Sequence, residues 1–121
     1  MIIKMYLQGK KPTIVEMQDD LITTKGICLA NTSYLRDFFK TNKVPVYLET
    51  ALCEISEGKV IAKDKEGNTF DIPADSVVMS VGYTPTPLAP KSKHVHVIGD
   101  AAKVGNLRTV IWGAWDIAMK L

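Results

Sequence analysis

Glu16 is the residue whose position most directly suggests binding chemistry. It follows the β-branched run Thr13, Ile14 and Val15, and therefore lies at the tip of a short predicted strand. A carboxylate at the tip of the second strand of a dinucleotide-binding fold can accept hydrogen bonds from both ribose hydroxyls of an adenosine, and it repels a 2′-phosphate. The alternative is that Glu16 only ends a strand at the surface, because exposed carboxylates are common.

A second candidate is the pair Gly99 and Asp100, which follows the apolar run HVHVI and precedes the small-residue segment AAKVGN. Such a pair ends either an ordinary strand or a strand beside a nucleotide site. As an ordinary turn, it would only cap the last helix. The G-x-G-x-x-G loop that holds a pyrophosphate does not occur in the sequence. Neither candidate is therefore part of a complete nucleotide motif.

Other reactive side chains lack partners at useful spacings. His94 and His96 share one face of a predicted strand, but no third ligand joins them, so we interpret them as ordinary strand residues and predict no metal site. Ser80, Cys53 and Asp116 have no base or orienting residue at a recognisable spacing. The sequence therefore predicts no catalytic residue.

Composition narrows the class of protein. The 121 residues are 46% hydrophobic, which suits one domain with its own core. The charge of +2 comes from interspersed residues, so no nucleic-acid partner is expected. No apolar stretch approaches the roughly 20 residues that cross a bilayer, and no export signal is seen. Cys28 and Cys53 lie in apolar contexts that suit buried thiols. We therefore expect a cytoplasmic protein without a membrane partner.

Hydrophobic periodicity predicts three helices. The first ends at Gly9, which readily adopts the left-handed conformation that closes a helix. The second has candidate N-cap residues before its apolar face, and the third carries one broad apolar face. They span residues 2–8, a stretch from Asn31, Thr32 or Ser33 to about Asn42, and residues 107–121.

The predicted strands lie before Glu16, between Val46 and Ser80, and at HVHVI. Turn signals at Glu57-Gly58 and Glu66-Gly67 favour a three-stranded antiparallel meander. The run SVVMSV has no alternation and therefore predicts a strand covered on both faces. The fold class predicted is α/β, a truncated Rossmann-like three-layer fold with an antiparallel β-meander. It is expected to be truncated because the first helix begins where the part after a phosphate loop would lie.

Three segments carry a family resemblance: GKKPTIVEM, DIPADSVVMSVGYTPTP and VHVIGDAAKVGNLRTVIWGAWDIA, in this order. Together they resemble the C-terminal FAD- and NAD(P)-binding region of the pyridine nucleotide-disulfide oxidoreductase superfamily. Within it, they are most similar to the NADH:flavin oxidoreductases of the 2-enoate reductase and 2,4-dienoyl-CoA reductase group. The resemblance implies a nicotinamide-binding-type domain at residues 1–88 that lacks its first strand and glycine-rich loop. It implies a returning FAD-domain strand and helix at residues 89–121, packed as one unit with that domain.

The resemblance also implies cofactor-binding roles for four residues. Glu16 would bind the ribose of NADH, and Gly82 would be the glycine of the crossover to the FAD domain. Gly99 would keep side-chain bulk away from the flavin, and Asp100 would accept a hydrogen bond from a ribityl or pyrophosphate-adjacent hydroxyl. The parent enzyme would pass hydride from NADH through FAD towards an enoate-type substrate, and its other domains would be the partners of this chain. On its own, the chain is expected to be inactive.

The alternative function is a non-catalytic truncated domain that binds no dinucleotide. Such a domain would form a homodimer or dock on partner domains, and Trp112 and Trp115 are candidate docking residues. Loss of a first strand would expose strand edges in the sheet. We hypothesise that HVHVI fills the vacant place beside the strand before Glu16, within its own chain or by exchange with a partner.

Overall fold

The computed structural model describes residues 1–24 and 26–121. These residues form an α/β structure with two compact units, Met1–Val77 and Val78–Leu121. The first unit contains two helices and five strands, and the second contains one helix preceded by a 3₁₀ turn. The cofactor assigned to each predicted domain stays a prediction.

Two helices of the first unit agree with the predicted ones. Helix α1 spans Ile2–Leu7, and Gly9 follows it with a φ of +77°, the left-handed conformation expected there. Helix α2 spans Leu29–Thr41 and ends at Asn42. An edge-to-face contact between Tyr6 and Phe38, with ring centroids 5.6 Å apart, joins the two helices.

The predicted N-cap of α2 is wrong. The N-cap is Cys28, which makes no side-chain cap hydrogen bond. Thr32 lies inside the first turns, and its hydroxyl donates a 2.9 Å hydrogen bond to the carbonyl of Leu29. The helix begins earlier than expected, and this threonine bonds back within the first turn instead of capping it.

The strand before Glu16 belongs to a short parallel pair of strands. Strand β1, Ile14–Val15, pairs with β2, Val46–Tyr47, so that Ile14 lies opposite Val46. The Ile14 amide donates to the carbonyl of Pro45 over 2.9 Å. This arrangement brings the segment after β1 and the segment after β2 to the same edge, because both strands run in one direction.

The predicted meander is confirmed. Strands β3, Ala51–Ser56, β4, Lys59–Lys63, and β5, Thr69–Pro73, form an antiparallel sheet in sequence order. The two turns contain Gly58 and Gly67, with φ values of +74° and +93°. Glycine adopts these values without the steric cost that a Cβ would add.

A small core lies against this sheet. Val60, Ala62 and Ile72 are buried, and they pack with partly buried apolar side chains. In the sheet, Val60 faces Ile72 across the β4 and β5 pair. Val15 also packs on this cluster, so the core links the meander to β1. Phe39 of α2 is buried too.

Two predicted strands are wrong. Residues 76–81 and 94–98 contain no strand in the described part of the chain. A strand needs a hydrogen-bonded neighbour, and the apolar run of each segment supplies no such neighbour by itself. In the second segment, Ser92 and Val95 instead exchange backbone hydrogen bonds in a local turn.

The hypothesis about HVHVI therefore fails for the single chain. Since residues 94–98 form no strand, they fill no place beside β1, whose partner is β2. Exchange with a second copy stays a prediction.

Helix α3, Leu107–Ala118, confirms the third predicted helix. Its predicted apolar face is only partly covered, because Val110 and Ile117 are half-buried while Leu107 and Ile111 are exposed. Trp112 and Trp115 are exposed as well.

The expectation of buried thiols is wrong, since Cys28 and Cys53 are both exposed. Cys53 lies at an irregularity of the edge strand β3, between Leu52 and Glu54, where one residue has no pairing partner on β4. Among the residues that the structure describes, none of the helices has the length and apolarity that crossing a bilayer requires.

Candidate functional site

Glu16 directly follows β1, at the end where both parallel strands finish. Its amide donates a 2.8 Å hydrogen bond to the carbonyl of Tyr47, which extends the pairing by one residue. Its carboxylate Oε1 accepts a 3.0 Å hydrogen bond from the amide of Gln18. The half-buried Glu16 is therefore held in a tight turn with its charge oriented by the backbone.

The segment after β2 holds this turn from the other side. The amide of Glu49 donates to the carbonyl of Gln18 over 2.9 Å, and the amide of Thr50 donates to the carbonyl of Glu16 over the same distance. Thr50 is buried, with 3% of its surface exposed. Two consecutive amides thus fix the two ends of the turn that carries the Glu16 carboxylate.

A shallow, open depression lies beside this turn. Its lining includes the side chains or backbone of Gln18, Asp19, Glu49, Lys63 and Lys65. The Nζ atom of Lys65 lies 2.7 Å from the Oε2 atom of Glu49. This hydrogen-bonded pair raises the pKa of Lys65, because the carboxylate stabilises the ammonium form.

The adjacent turn between β4 and β5 is organised by Asp64. Its carboxylate accepts hydrogen bonds of 2.9 Å from the amides of Glu66 and Asn68, and one of 3.1 Å from the Asn68 side chain. Hydrogen bonds from Asn68 are the main cause that lowers the pKa of Asp64, since they favour the ionised form.

In the second unit, Gly99 and Asp100 lie in the 3₁₀ turn Gly99–Ala101. Gly99 has a φ of +61°, and a Cβ built there would lie 3.4 Å from Cγ1 of Val110. Glycine is needed for this backbone conformation, whereas the contact that a Cβ would make with α3 is of ordinary van der Waals length. The Gly99 carbonyl accepts hydrogen bonds from the amides of Ala102 and Lys103, which tightens the turn.

Asp100 closes the loop that leads into α3. Its Oδ1 atom accepts a 3.1 Å hydrogen bond from the amide of Gly105. The alternative interpretation, in which Gly99 and Asp100 cap α3, is wrong, because the N-cap is Asn106. Asn106 accepts from the amide of Thr109 over 3.1 Å, and the Thr109 hydroxyl accepts from the amide of Asn106 over 3.0 Å.

The start of α3 retains donors that can bind an anion or a hydroxyl. In the described part of the chain, the amides of Leu107 and Arg108 have no hydrogen-bond partner. First-turn amides carry the positive end of the helix dipole. Together with the Asp100 carboxylate, the loop therefore offers an acceptor and backbone donors, which fits a ligand that carries hydroxyl and phosphate groups.

Gly82 lies away from any regular element, with a φ of +84°. A Cβ built there would have no neighbour within 4 Å, so its glycine is required by backbone conformation alone.

Gly99 and Asp100, which are adjacent in the sequence, share one loop. Glu16 belongs to the unit Met1–Val77, and the other three predicted residues belong to Val78–Leu121. Sequence reasoning missed Gly105, where a Cβ would clash with the Thr109 hydroxyl. It also missed Glu49 and its bond to the turn of Glu16. The Asn106 and Thr109 spacing, which is that of a capping box, could have revealed the start of α3. No group of three or more His, Cys, Asp or Glu residues within residues 1–24 and 26–121 could hold a metal ion.

Comparison with known proteins shows a curated relative and a structural neighbour. The chain is 36% identical over 125 residues to a cinnamate reductase of Clostridium sporogenes, an alignment that covers 94% of this chain and 18% of that protein. Among solved structures, a 2-naphthoyl-CoA reductase in complex with 2-naphthoyl-CoA superposes with a TM-score of 0.70. The identity is 22%, and the match covers 95% of this chain and 18% of the other. This likeness shows a shared fold. The chain thus spans about one fifth of the length of these proteins.

A family profile matches most of the chain. It is the profile described as Pyridine nucleotide-disulphide oxidoreductase, and it aligns with residues 3–111. This range includes β1 with Glu16, the meander, and the loop of Gly99 and Asp100 that leads into α3. The chain belongs to the pyridine nucleotide-disulphide oxidoreductase family.

Proposed function

We propose that the chain is the cofactor-binding part of a flavin-dependent reductase in which hydride passes from NADH through FAD to an enoate-type substrate. The family implies flavin and nicotinamide cofactors in its enzymes. The named relative acts on cinnamate, which is an enoate, and this supports the class of substrate. The substrate pocket itself belongs to the part of such an enzyme that lies outside these residues.

The loop of Gly99 and Asp100 carries the flavin half of the proposal. The Asp100 carboxylate binds the Gly105 amide through one oxygen, so the other is free to accept a hydrogen bond from a ribityl hydroxyl. Gly99 would let the loop keep its left-handed backbone beside α3, and the first-turn amides of α3 would donate hydrogen bonds to a negatively charged group of the cofactor. Gly82 would let the backbone keep a positive φ of +84° in the segment before this loop. FAD supplies the electron transfer, while these residues bind and orient it.

Glu16 carries the nicotinamide half. Its carboxylate is oriented by the Gln18 amide, and its second oxygen can accept a hydrogen bond from a ribose hydroxyl. A 2′-phosphate would meet this negative charge, so we expect a preference for NADH over NADPH. Residues 1–121 contain no glycine-rich loop for the pyrophosphate, and we therefore expect NADH to bind weakly here.

The exposed stripe of α3 suggests how the chain meets its partners. Leu107, Ile111, Trp115 and Met119 recur every four residues, and each has more than half of its side chain exposed. We propose that the other domains of the parent enzyme cover this stripe. The second candidate function, a domain that binds no dinucleotide and self-associates through the same stripe, rests on the same exposure.

Isothermal titration calorimetry of the full chain with FAD and with NADH tests the proposal. We expect saturable binding of FAD below millimolar concentration and weaker binding of NADH. Sedimentation of the same samples tests the second candidate. A chain that dimerises and binds neither cofactor at millimolar concentration would overturn the first proposal and support the second.

A further inference from the structure

We infer that Glu49, held by Lys65, is a positioning residue for Glu16, and that it sets the direction in which the Glu16 carboxylate meets the ribose. This inference rests on the proposed function of Glu16. The residues involved lie in the connections between strands, where the sequence has no nucleotide-binding motif. A continuous series of hydrogen bonds within Met1–Val77 links Lys65 through Glu49 and Gln18 to Glu16.

The first step is the dependence of Glu16 on its own turn. The carboxylate of Glu16 accepts from the Gln18 amide over 3.0 Å, so the position of Gln18 decides where the carboxylate points. Residues 17–20 form bends without a helix or strand of their own. This turn therefore needs support from another segment to keep one geometry.

Glu49 supplies that support. Its amide donates to the Gln18 carbonyl, and the next amide, of Thr50, donates to the Glu16 carbonyl. Glu49 has a φ of +49°, a conformation that residues with a Cβ rarely adopt. In this conformation the Glu49 amide is bonded to Gln18 and the Glu49 carboxylate is bonded to Lys65. Glu49 therefore connects the turn of Glu16 to the meander.

Lys65 fixes the other end. Its ammonium lies 2.7 Å from the Glu49 carboxylate and comes from the turn between β4 and β5. Three hydrogen bonds to the Asp64 carboxylate make that turn rigid, and β4 belongs to the buried core. The bonds thus run from an anchored turn through Lys65 and Glu49 to Gln18, and end at the Glu16 carboxylate.

The chain offers a matched control for this pair. Lys59 of β4 and Asp71 of β5 form another ion pair, with side chains 44% and 52% exposed, against 62% for Lys65 and 43% for Glu49. Neither pair is buried, so both contribute little to overall stability. The Lys59 pair has no bond to residues 16–18 among the hydrogen bonds of the described chain, so it should leave the turn of Glu16 unchanged.

The first test uses the full chain without nucleotide and measures amide hydrogen exchange by NMR. In Lys65→Met, we expect the amides of Gln18 and Thr50 to exchange about 1.5- to 5-fold faster, because an exposed ion pair shifts a local equilibrium by that amount. Lys65→Arg should keep the wild-type rates, and Lys59→Met should not change them. The inference would be overturned if Lys65→Met left the exchange rates of Gln18 and Thr50 unchanged. It would also be overturned if the exchange rate of the Val60 amide in the core rose by the same factor.

The second test measures the affinities of the same variants for NADH and NADPH. We expect the preference for NADH to fall about 1.5- to 5-fold in Lys65→Met and to be retained in Lys65→Arg and Lys59→Met. Loss of the Lys65 charge by itself would disfavour NADPH, so a fall in the preference for NADH reports the changed position of Glu16. If wild type binds NADPH as well as NADH, the proposed role of Glu16 fails, and the exchange result alone decides whether Glu49 positions it. If wild type prefers NADH and Lys65→Met leaves that preference intact, the positioning role is refuted.

Discussion

Replacing Gly105 with alanine should break the cap at the start of α3. A Cβ at this position would clash with the hydroxyl of Thr109 and lie 3.3 Å from the Thr109 Cβ. That hydroxyl accepts from the Asn106 amide and donates over 2.7 Å to the Asn106 carbonyl, so displacing it removes both bonds. Loss of a cap costs about 1 kcal/mol, and crowding adds to it, which gives about 1–3 kcal/mol.

Urea unfolding of the full chain, followed by tryptophan fluorescence, measures this cost directly, because Trp112 and Trp115 both lie on α3. The matched background is Thr109→Ala, in which the hydroxyl is absent. There the added methyl at Gly105 should cost less than half as much, since the crowding that remains is the contact with the Cβ of residue 109. An equal cost in both backgrounds would refute the role given to the hydroxyl.

Four further outcomes follow from the same geometry. Gly99→Ala and Gly82→Ala should each lower the free energy of unfolding by about 1–2 kcal/mol, because a Cβ is strained at the positive φ of both residues and would meet no clash at either; a loss well below this in thermal unfolding would contradict the assigned backbone. Glu16→Gln should raise the affinity for NADPH relative to NADH by about 5-fold in a binding titration, because one repelling charge is removed; an unchanged ratio argues against a ribose site. Ile72→Ala should cost about 2–5 kcal/mol in urea unfolding, as Ile72 is 7% exposed in the core, and a smaller loss would mean that the core repacks. The pKa of Asp64 lies below its ordinary 3.8, so its bonds stabilise the turn above that pH and are lost as pH falls through the lower value in the folded chain; an NMR titration that finds the carboxyl at or above 3.8 would refute these bonds.

Local signals made the helices and the meander predictable. Gly9 ended α1 where a left-handed residue was expected, and the turns at Gly58 and Gly67 set the three antiparallel strands. Each of these features depends on residues that are near one another in the sequence. The strands expected at residues 76–81 and 94–98 depend on a neighbouring strand elsewhere, and hydrophobicity alone does not supply that neighbour.

The candidate site was predictable only in part, for a similar reason. The residue types of Glu16 and Asp100 indicated acceptors, and both carboxylates do lie at a strand end or in a loop before a helix. Their fixed orientation comes from amides of Gln18 and Gly105, and a sequence pattern does not show which amide a carboxylate will accept from. The hydrogen bond from the Glu49 amide to the turn of Glu16 requires that β1 and β2, which are distant in the sequence, pair in parallel. This pairing is visible only in the folded structure.

Flavin titration of wild type, Asp100→Asn and Asp116→Asn tests the central claim most directly, with the change in flavin absorbance and fluorescence as the signal. Asp100 lies in the proposed flavin loop, whereas Asp116 is an exposed carboxylate on α3 and serves as the matched control. We expect wild type and Asp116→Asn to bind FAD equally, and Asp100→Asn to bind about 10-fold more weakly or worse. Asparagine has one oxygen, which the Gly105 amide occupies, so the charge-assisted hydrogen bond from the ribityl hydroxyl loses its acceptor. Failure of wild type to bind FAD at millimolar concentration, or equal affinities in all three proteins, would contradict the account.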